Sequence, residues 1–306
     1  MFELLGKTNI DFIGKRYYAY VLSGVLSLLG VITVIQVARG HANTGIDFAG
    51  GTAVQLQFEQ PVQLDAARAL LEREGFPDAE LQQFTTGNKL LIRVKKQTTI
   101  QERTADRLVA AFKAGFESNP FVVDSTTEIG PTVGAKLQQD AVKAITIAMI
   151  GIIVYIALRF EFRFGVAAAV ATFHDVLAVL GVMWLLDKEI NLLIVTALLT
   201  IAGYSLTDTV VVFDRIRETL RTRRRDALPH VINQAVNQVL SRTIVVSMTT
   251  FLAALALFLF GGEVLHDFSL ALLLGVAVGT YSSIFVASPL LLIWPGAEGK
   301  LLKRTA

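Results

Sequence analysis

The chain has 306 residues, of which 53% are hydrophobic and only 18% charged, against about 25% charged in an ordinary soluble protein. It holds no cysteine and a formal net charge of +2, so a disulfide framework, a Cys-ligated metal and a thiol nucleophile are excluded. The apolar residues fall in nearly charge-free blocks around one polar segment of roughly 100 residues, which excludes disorder, a nucleic-acid-binding tail and a cytosolic enzyme and predicts a membrane part and a water-exposed part.

A spanning helix needs about 20 mostly apolar residues, because the hydrocarbon core is about 30 Å thick and each residue rises about 1.5 Å. Residues 1–16 read as a cytoplasmic N-terminus, and Tyr17 to Ala38, without a charge, as the first span (17–38). Its apolar stretch is longer than the core of about 7–15 residues of a signal peptide, and no good small-x-small site follows at Ala38-Arg39-Gly40, so this span is expected to stay uncleaved.

Residues 39–138 form the polar segment. Thr52 to Phe58 alternates like a strand. Leu64, Ala67, Leu70 and Leu71 lie at helical spacing, and Gly75 ends that helix. Glu80 to Thr86 and Lys89 to Lys95 flank Gly87-Asn88, a hairpin signal. Thr98 to Phe116 reads as a second helix capped by Thr98 or Thr99, and Phe121 to Ile129 as a last strand. The order β-α-β-β-α-β is the ferredoxin-like pattern, giving a small α+β domain. It has no cluster of His and acids and no Gly-rich phosphate loop, so binding or leverage is expected of it rather than catalysis.

Five further spans fill residues 139–295. They are 141–158, with Lys143 snorkelling near one end; 164–186, containing Asp175; 190–213, containing Asp208; and 243–262 and 268–294, without charge. A basic loop, 214–242, separates the fourth from the fifth, and 296–306 is a C-terminal tail. The fold class is a polytopic α-helical membrane protein of six transmembrane helices carrying one small α+β domain.

Orientation follows the placement of Lys and Arg. With the N-terminus inside, the inner segments hold Lys7, Lys15, Arg16, Arg159, Arg163, Arg215, Arg217, Arg221, Arg223, Arg224, Arg225, Arg242, Lys300, Lys303 and Arg304, while the short outer loops hold Lys188 alone. Both termini are therefore expected in the cytoplasm and residues 39–138 on the far side of a bacterial inner membrane. The run Arg221 to Arg225 is a topology determinant facing anionic headgroups; Asp226 and the lack of interleaved aromatics argue against nucleic acid.

An ionisable residue inside a span is costly, about 2.5–3.5 kcal/mol on insertion scales, and marks function when it faces protein or water. Asp175 lies about 11 residues, or roughly 17 Å, from the inner end of its span, and Asp208 about 8 Å from the end of its own. Tyr204, Ser205 and Thr207 to Thr209 make a polar stripe around Asp208, and Gly203 would admit another helix. Arg242 opens the next, antiparallel span near the same depth, so an Asp208–Arg242 pair is expected. A carboxylate between an apolar environment and a guanidinium is pulled both ways and can exchange a proton. Asp214, Arg215, Arg217 and Glu218 read as a solvated helix end. His174-Asp175 is a secondary proton or water-chain pair; adjacent helical residues point about 100° apart, which is poor chelation geometry for a metal. No GxSxG-type elbow supports a hydrolase.

The motifs together resemble a family. Gly45-Ile-Asp47-Phe-Ala-Gly50-Gly51-Thr52 opens the outer domain and Gly130-Pro131-Thr-Val-Gly134 closes it. Phe160-Glu-Phe-Arg-Phe-Gly165, His174-Asp175, the run Ile201 to Glu218 and Ser241-Arg242-Thr243 follow. The chain is similar over nearly its whole length to the SecF family of bacterial protein translocase subunits, in the resistance-nodulation-division superfamily; the first motif alone would be shared with SecD. The resemblance implies no cofactor, a complex with SecD making a twelve-helix unit beside the SecYEG channel, the company of YajC and YidC, and preprotein export assisted by the proton motive force, with H⁺ or alternatively Na⁺ as coupling ion. It implies that Asp208 and Arg242 serve proton passage. It also implies an incomplete transporter, since fused SecDF proteins carry six more spans and a large first periplasmic domain. Gly and Ala positions along the third and sixth spans are candidates for meeting SecD. Two other readings remain at this point: a non-transporting scaffold that binds emerging polypeptide, and half of a small-molecule exporter of the same superfamily.

Overall fold

A computed structural model describes residues 8–84, 87–95, 104–223 and 226–293. Lys7, the cap candidates Thr98 and Thr99, Arg224, Arg225, Lys300, Lys303 and Arg304 lie outside the described residues. The chain divides into two compact units, Thr44–Lys143 and the remainder, Met1–Asn43 with Ala144–Ala306.

The smaller unit opens with a single helical turn, α2 (Ile46–Ala49), and continues through β1 (Gly51–Phe58), α3 (Leu64–Arg73), β2 (Glu80–Gln83), β3 (Lys89–Lys95), α4 (Thr104–Gly115) and β4 (Phe121–Ile129). Alternation along β1 and β3 drives the packing: Val54, Leu56, Phe58, Leu90, Ile92 and Val94 point to one face, where they meet Leu71 of α3 and Leu108 and Phe112 of α4. The opposite face carries Gln55, Gln57 and Arg93. Every neighbouring pair is antiparallel, and the strand order is β2-β3-β1-β4. The register between β1 and β4 shifts after Gln55, leaving Asp124 as a bulge residue whose carboxylate accepts from Lys89 at 2.7 Å.

The six membrane-length helices are α1 (Arg16–Ala38), α5 (Pro131–Arg159), α6 (Phe162–Leu185), α7 (Leu192–Thr222), α8 (Leu228–Phe260) and a last span, Val264–Leu290. The last span consists of α9 (Gly262–Ser282), a π-helical turn at Ser283–Ala287 and the short α10 (Ser288–Leu290). Among these, α6 is the central helix, with Ala167, Ala168, Ala171 and Ala178 fully enclosed. Its tightest neighbour is α1. A Cβ on Gly30 would lie 2.3 Å from the Leu177 carbonyl, and one on Gly181 would lie 2.7 Å from the Gly30 nitrogen, so two glycines let the backbones meet.

Two expectations need correction. The basic loop 214–242 is largely helix: α7 runs on to Thr222 and α8 starts at Leu228, leaving a short connection. These extensions are amphipathic rather than apolar. They bury Ile216 and Leu220 against Val231, Ile232, Ala235 and Val236, a packing signal that hydropathy alone does not register. Likewise α5 begins at Pro131, well before residue 141, with proline at its first position where the missing N–H costs nothing.

The N-terminal segment is also held. Asn233 on α8 accepts from the Phe12 N–H at 2.8 Å and donates to the Ile10 carbonyl at 3.0 Å, while Asn237 accepts from the Ile10 N–H at 2.8 Å. Phe12 and Ile13 join the same apolar cluster.

Candidate functional site

Helices α6, α7, α8 and the last span meet around a layer of polar side chains inside the larger unit. Asp175 has no exposed surface. One of its oxygens faces His174 Nδ1 at 2.8 Å. The other accepts from Ser282 Oγ at 2.7 Å and from Ser205 Oγ. One carboxyl thus binds α6, α7 and the last span together. Gly279, whose added Cβ would touch Ser205 at 3.1 Å, brings α9 close enough for this. The His174 Nε2 atom is buried without a hydrogen-bond partner among the described residues.

Asp208 lies one turn along α7 from Ser205 and is 8% exposed. Thr243 Oγ1 donates to its Oδ1 at 2.9 Å, and its Oδ2 is buried with no hydrogen-bond partner among the described residues. Beside it, Thr209 and Ser283 share a hydroxyl contact of 2.9 Å. Tyr204 donates to Ser247 at 3.1 Å, and Ser247 meets Thr280 at 2.6 Å. On the far side of Asp175, Tyr281 donates to the Ala19 carbonyl at 2.8 Å and meets Ser23 at 3.1 Å, which ties in α1. The π-helical turn follows this cluster of hydroxyls directly, the kind of local widening that recurs at functional positions.

The expected Asp208–Arg242 ion pair is not formed: Arg242 is exposed and has no ion-pair partner within 4.0 Å among the described residues. The reason is helical geometry. Thr243 occupies the face of α8 that meets Asp208, and the preceding side chain points about 100° away. Tyr204 and Ser205 do enter the layer, although by different bonds: Ser205 belongs to Asp175 and Tyr204 to α8. Thr207 and Gly203 do not, since Thr207 is exposed and bonds the Gly203 carbonyl at 3.0 Å. Asp214 pairs with Arg159 at 3.5 Å and Arg215 with Glu218 at 2.6 Å, all on exposed surface.

Sequence reasoning missed Thr243, Ser247, Thr280, Ser282 and Ser283 as members. The signal was present in Thr280-Tyr-Ser-Ser283, four consecutive hydroxyls inside an otherwise apolar span. The glycine positions proposed for partner contact in the third and sixth spans are occupied within the chain: Gly181 rests on Gly30, Gly275 on Ile201 and Gly279 on Ser205.

In the smaller unit, the two glycine motifs come together. Gly50 and Gly51 have φ of 72° and 152°. A Cβ on Gly51 would lie 2.4 Å from the Val94 carbonyl, and one on Gly134 would lie 2.7 Å from the Phe48 carbonyl. Gly50 packs on Pro131, where a Cβ would meet Cα at 3.0 Å. Gly45 caps the α2 turn, with Asp47 in its first turn, and Gly130 precedes α5. These residues close the start of β1 onto the exit from β4, a structural clasp rather than a ligand site.

Comparison with known proteins matches residues 110–297 to the family described as protein export membrane protein SecD/SecF, C-terminal, and residues 43–62 to the SecD/SecF GG motif. The protein translocase subunit SecF of Thermodesulfovibrio yellowstonii is 53% identical over 306 residues, covering 99% of this chain and 100% of the relative. That of Escherichia coli O157:H7 is 38% identical over 289 residues, covering 94% and 88%. The crystal structure of SecDF, a translocon-associated membrane protein from Thermus thermophilus, aligns with a TM-score of 0.81 at 37% identity; it covers 94% of this chain, which spans 39% of that longer one. Six apolar helices, the clasped glycine motifs and this likeness along the full length lead to one statement: the chain belongs to the SecD/SecF family of protein-export membrane proteins, in its SecF branch.

Proposed function

We propose that the chain couples ion flow to protein export, as a multi-pass subunit of a bacterial inner membrane with both termini in the cytoplasm and the Thr44–Lys143 unit outside. It works with SecD, beside SecYEG and in the company of YajC and YidC, on preproteins already emerging from the channel. The observation that supports this reading is Asp208: an acid enclosed among membrane helices, with one oxygen held by Thr243 and the other without a hydrogen-bond partner among the described residues.

Thr243 and Arg242 sit next to each other on α8, so a rotation of that helix by about 100° exchanges a hydroxyl for a guanidinium at the Asp208 carboxyl. The arrangement with Thr243 at the carboxyl is one state, and the arrangement with Arg242 there is the other. Gain or loss of a proton at Asp208 changes which is favoured, since a guanidinium binds the charged form far better than the neutral one. Each elementary charge that crosses supplies about 2.3 kcal/mol per 100 mV. His174, Asp175, Ser205 and Tyr204 continue the polar layer and form the secondary part of the route. H⁺ is the ion this chemistry fits; the hydroxyl and carboxylate oxygens would also accept Na⁺.

The test is potential-driven export in membrane vesicles containing the partner subunits. Asp208→Asn and Arg242→Ala abolish the stimulation by an imposed pH gradient without Na⁺, Thr243→Val reduces it, and Thr243→Ser keeps it. Full stimulation in Asp208→Asn removes the proposal.

A further inference from the structure

In the smaller unit, β4 forms one edge of the sheet, and no described residue pairs with the outer side of its nine-residue backbone. Edge strands of this length present a row of unpaired N–H and C=O groups, and natural proteins usually cover or blunt them. Here the bulge at Asp124 blunts the first half, while Ser125 to Ile129 continue regularly. Pairing of Val54 with Thr126 and Leu56 with Val123 places Val123 and Thr126 on the helix-covered face. Helix α4 packs over β1 and stops short of covering them. A trough of about 460 Å³ remains between helix and edge, floored by Ala105, Val109, Ala110, Val123 and Thr126.

A sheet edge flanked by an apolar trough under a parallel-running helix is the geometry that accepts an extended peptide: main-chain bonds hold it, and alternate side chains enter the trough. The charges along the trough are ordered. The C-terminal end of α4 lies by Phe121, since Phe58 contacts both Phe116 and Phe121 at 5.8 and 5.0 Å between ring centres. Lys113 therefore stands at the β4 N-terminal end, while Asp106 and Glu128 stand at the other. All three are exposed, and none has an ion-pair partner among the described residues.

We propose that this trough receives an extended segment of exported polypeptide as a fifth strand antiparallel to β4, with an apolar side chain in the trough, a basic residue toward its N-terminal end by Asp106 and Glu128, and an acidic residue toward its C-terminal end by Lys113. Antiparallel addition is the more stable pairing, and it fixes which charge meets which. The inference rests on the export role and not on the proton reading.

The experiment places a photo-cross-linking residue at Thr126 of the full chain, assembled with its partner subunits in membrane vesicles. A secretory chain stalled in transit carries the segment Lys-Thr-Val-Thr-Glu, whose first, third and fifth side chains share the trough face, or the same segment with its two charges exchanged. The expected result is an adduct between position 126 and the first segment. Asp106→Lys with Glu128→Lys and Lys113→Glu lowers that yield by about tenfold, one anchor's worth of binding, and restores it for the exchanged segment; all three substitutions lie on exposed surface. Asp208→Asn leaves the adduct intact even where it stops potential-driven export, so the two readings fail separately. An adduct to a partner subunit, no adduct, or equal yield with both segments overturns the proposal.

Discussion

Asp175 shows what one residue can do when it is denied water. A carboxyl without exposed surface has to find its hydrogen bonds in the protein, and His174, Ser205 and Ser282 supply them from two other membrane elements and its own. Ser282→Ala leaves part of that demand unmet and should cost about 1–3 kcal/mol, read as a lower unfolding temperature in detergent micelles. Thr172 provides the contrast: its hydroxyl is buried without a hydrogen-bond partner among the described residues, so Thr172→Val should be neutral or stabilising. Equal losses in both variants would refute the account. At this scale the two acids were legible in the sequence because charge inside oil is anomalous by itself. Their partners were less so. A serine or threonine in a span bonds its own helix as readily as a neighbour, as Thr207 does, and only packing decides between the two.

At the scale of elements, close approach between helices is carried by glycines whose faces the sequence does not identify. Gly24, Gly30, Gly181 and Gly203 look alike in a hydropathy plot. In the structure Gly30 and Gly181 touch across the α1–α6 crossing, whereas Gly24 and Gly203 have open space where a Cβ would stand. Gly181→Ala or Gly30→Ala should therefore cost about 1–3 kcal/mol or more through backbone displacement, while Gly24→Ala should be silent; thermal unfolding distinguishes them. Strand β4 offers a second check. The Lys89 ammonium, hydrogen-bonded to Asp124, holds that carboxyl below its ordinary value of 3.8. A carboxyl depressed in the folded protein contributes stability above its unfolded pKa and loses it as pH falls through the lowered value, and this exposed pair contributes little. A ¹³C titration of Asp124 should have its midpoint below 3.8 and return to the ordinary range in Lys89→Met. The strands and their alternation were readable beforehand. The bulge was not, because nothing in Asp124-Ser125-Thr126 distinguishes an extra residue from a regular one.

For the molecule as a whole, the absence of cysteine in all 306 residues is an experimental opening. Single cysteines introduced at exposed positions report sidedness with no background. Thr127→Cys on β4 should react with an impermeant maleimide from outside intact cells, and Arg223→Cys, at the end of α7, only after permeabilisation. Reaction of both from one side would contradict the orientation drawn from the Lys and Arg asymmetry. Six spans were evident from length and apolarity alone, since the bilayer imposes a threshold that little else satisfies. The helical extensions beyond the membrane were not, because Ile216, Leu220, Val231 and Ile232 are spaced among charges and reveal themselves only by the face they share.

The π-helical turn at Ser283–Ala287 carries one more residue than an α-turn would. Closing it to ordinary pitch would turn the helix on its N-terminal side by about 100° and advance it by about 1.5 Å. Ser282 would then swing off Asp175, and a different side chain would take its place. The last span therefore holds a spare residue in store, and spending it is a screw motion that needs no hinge, no broken helix and no loop.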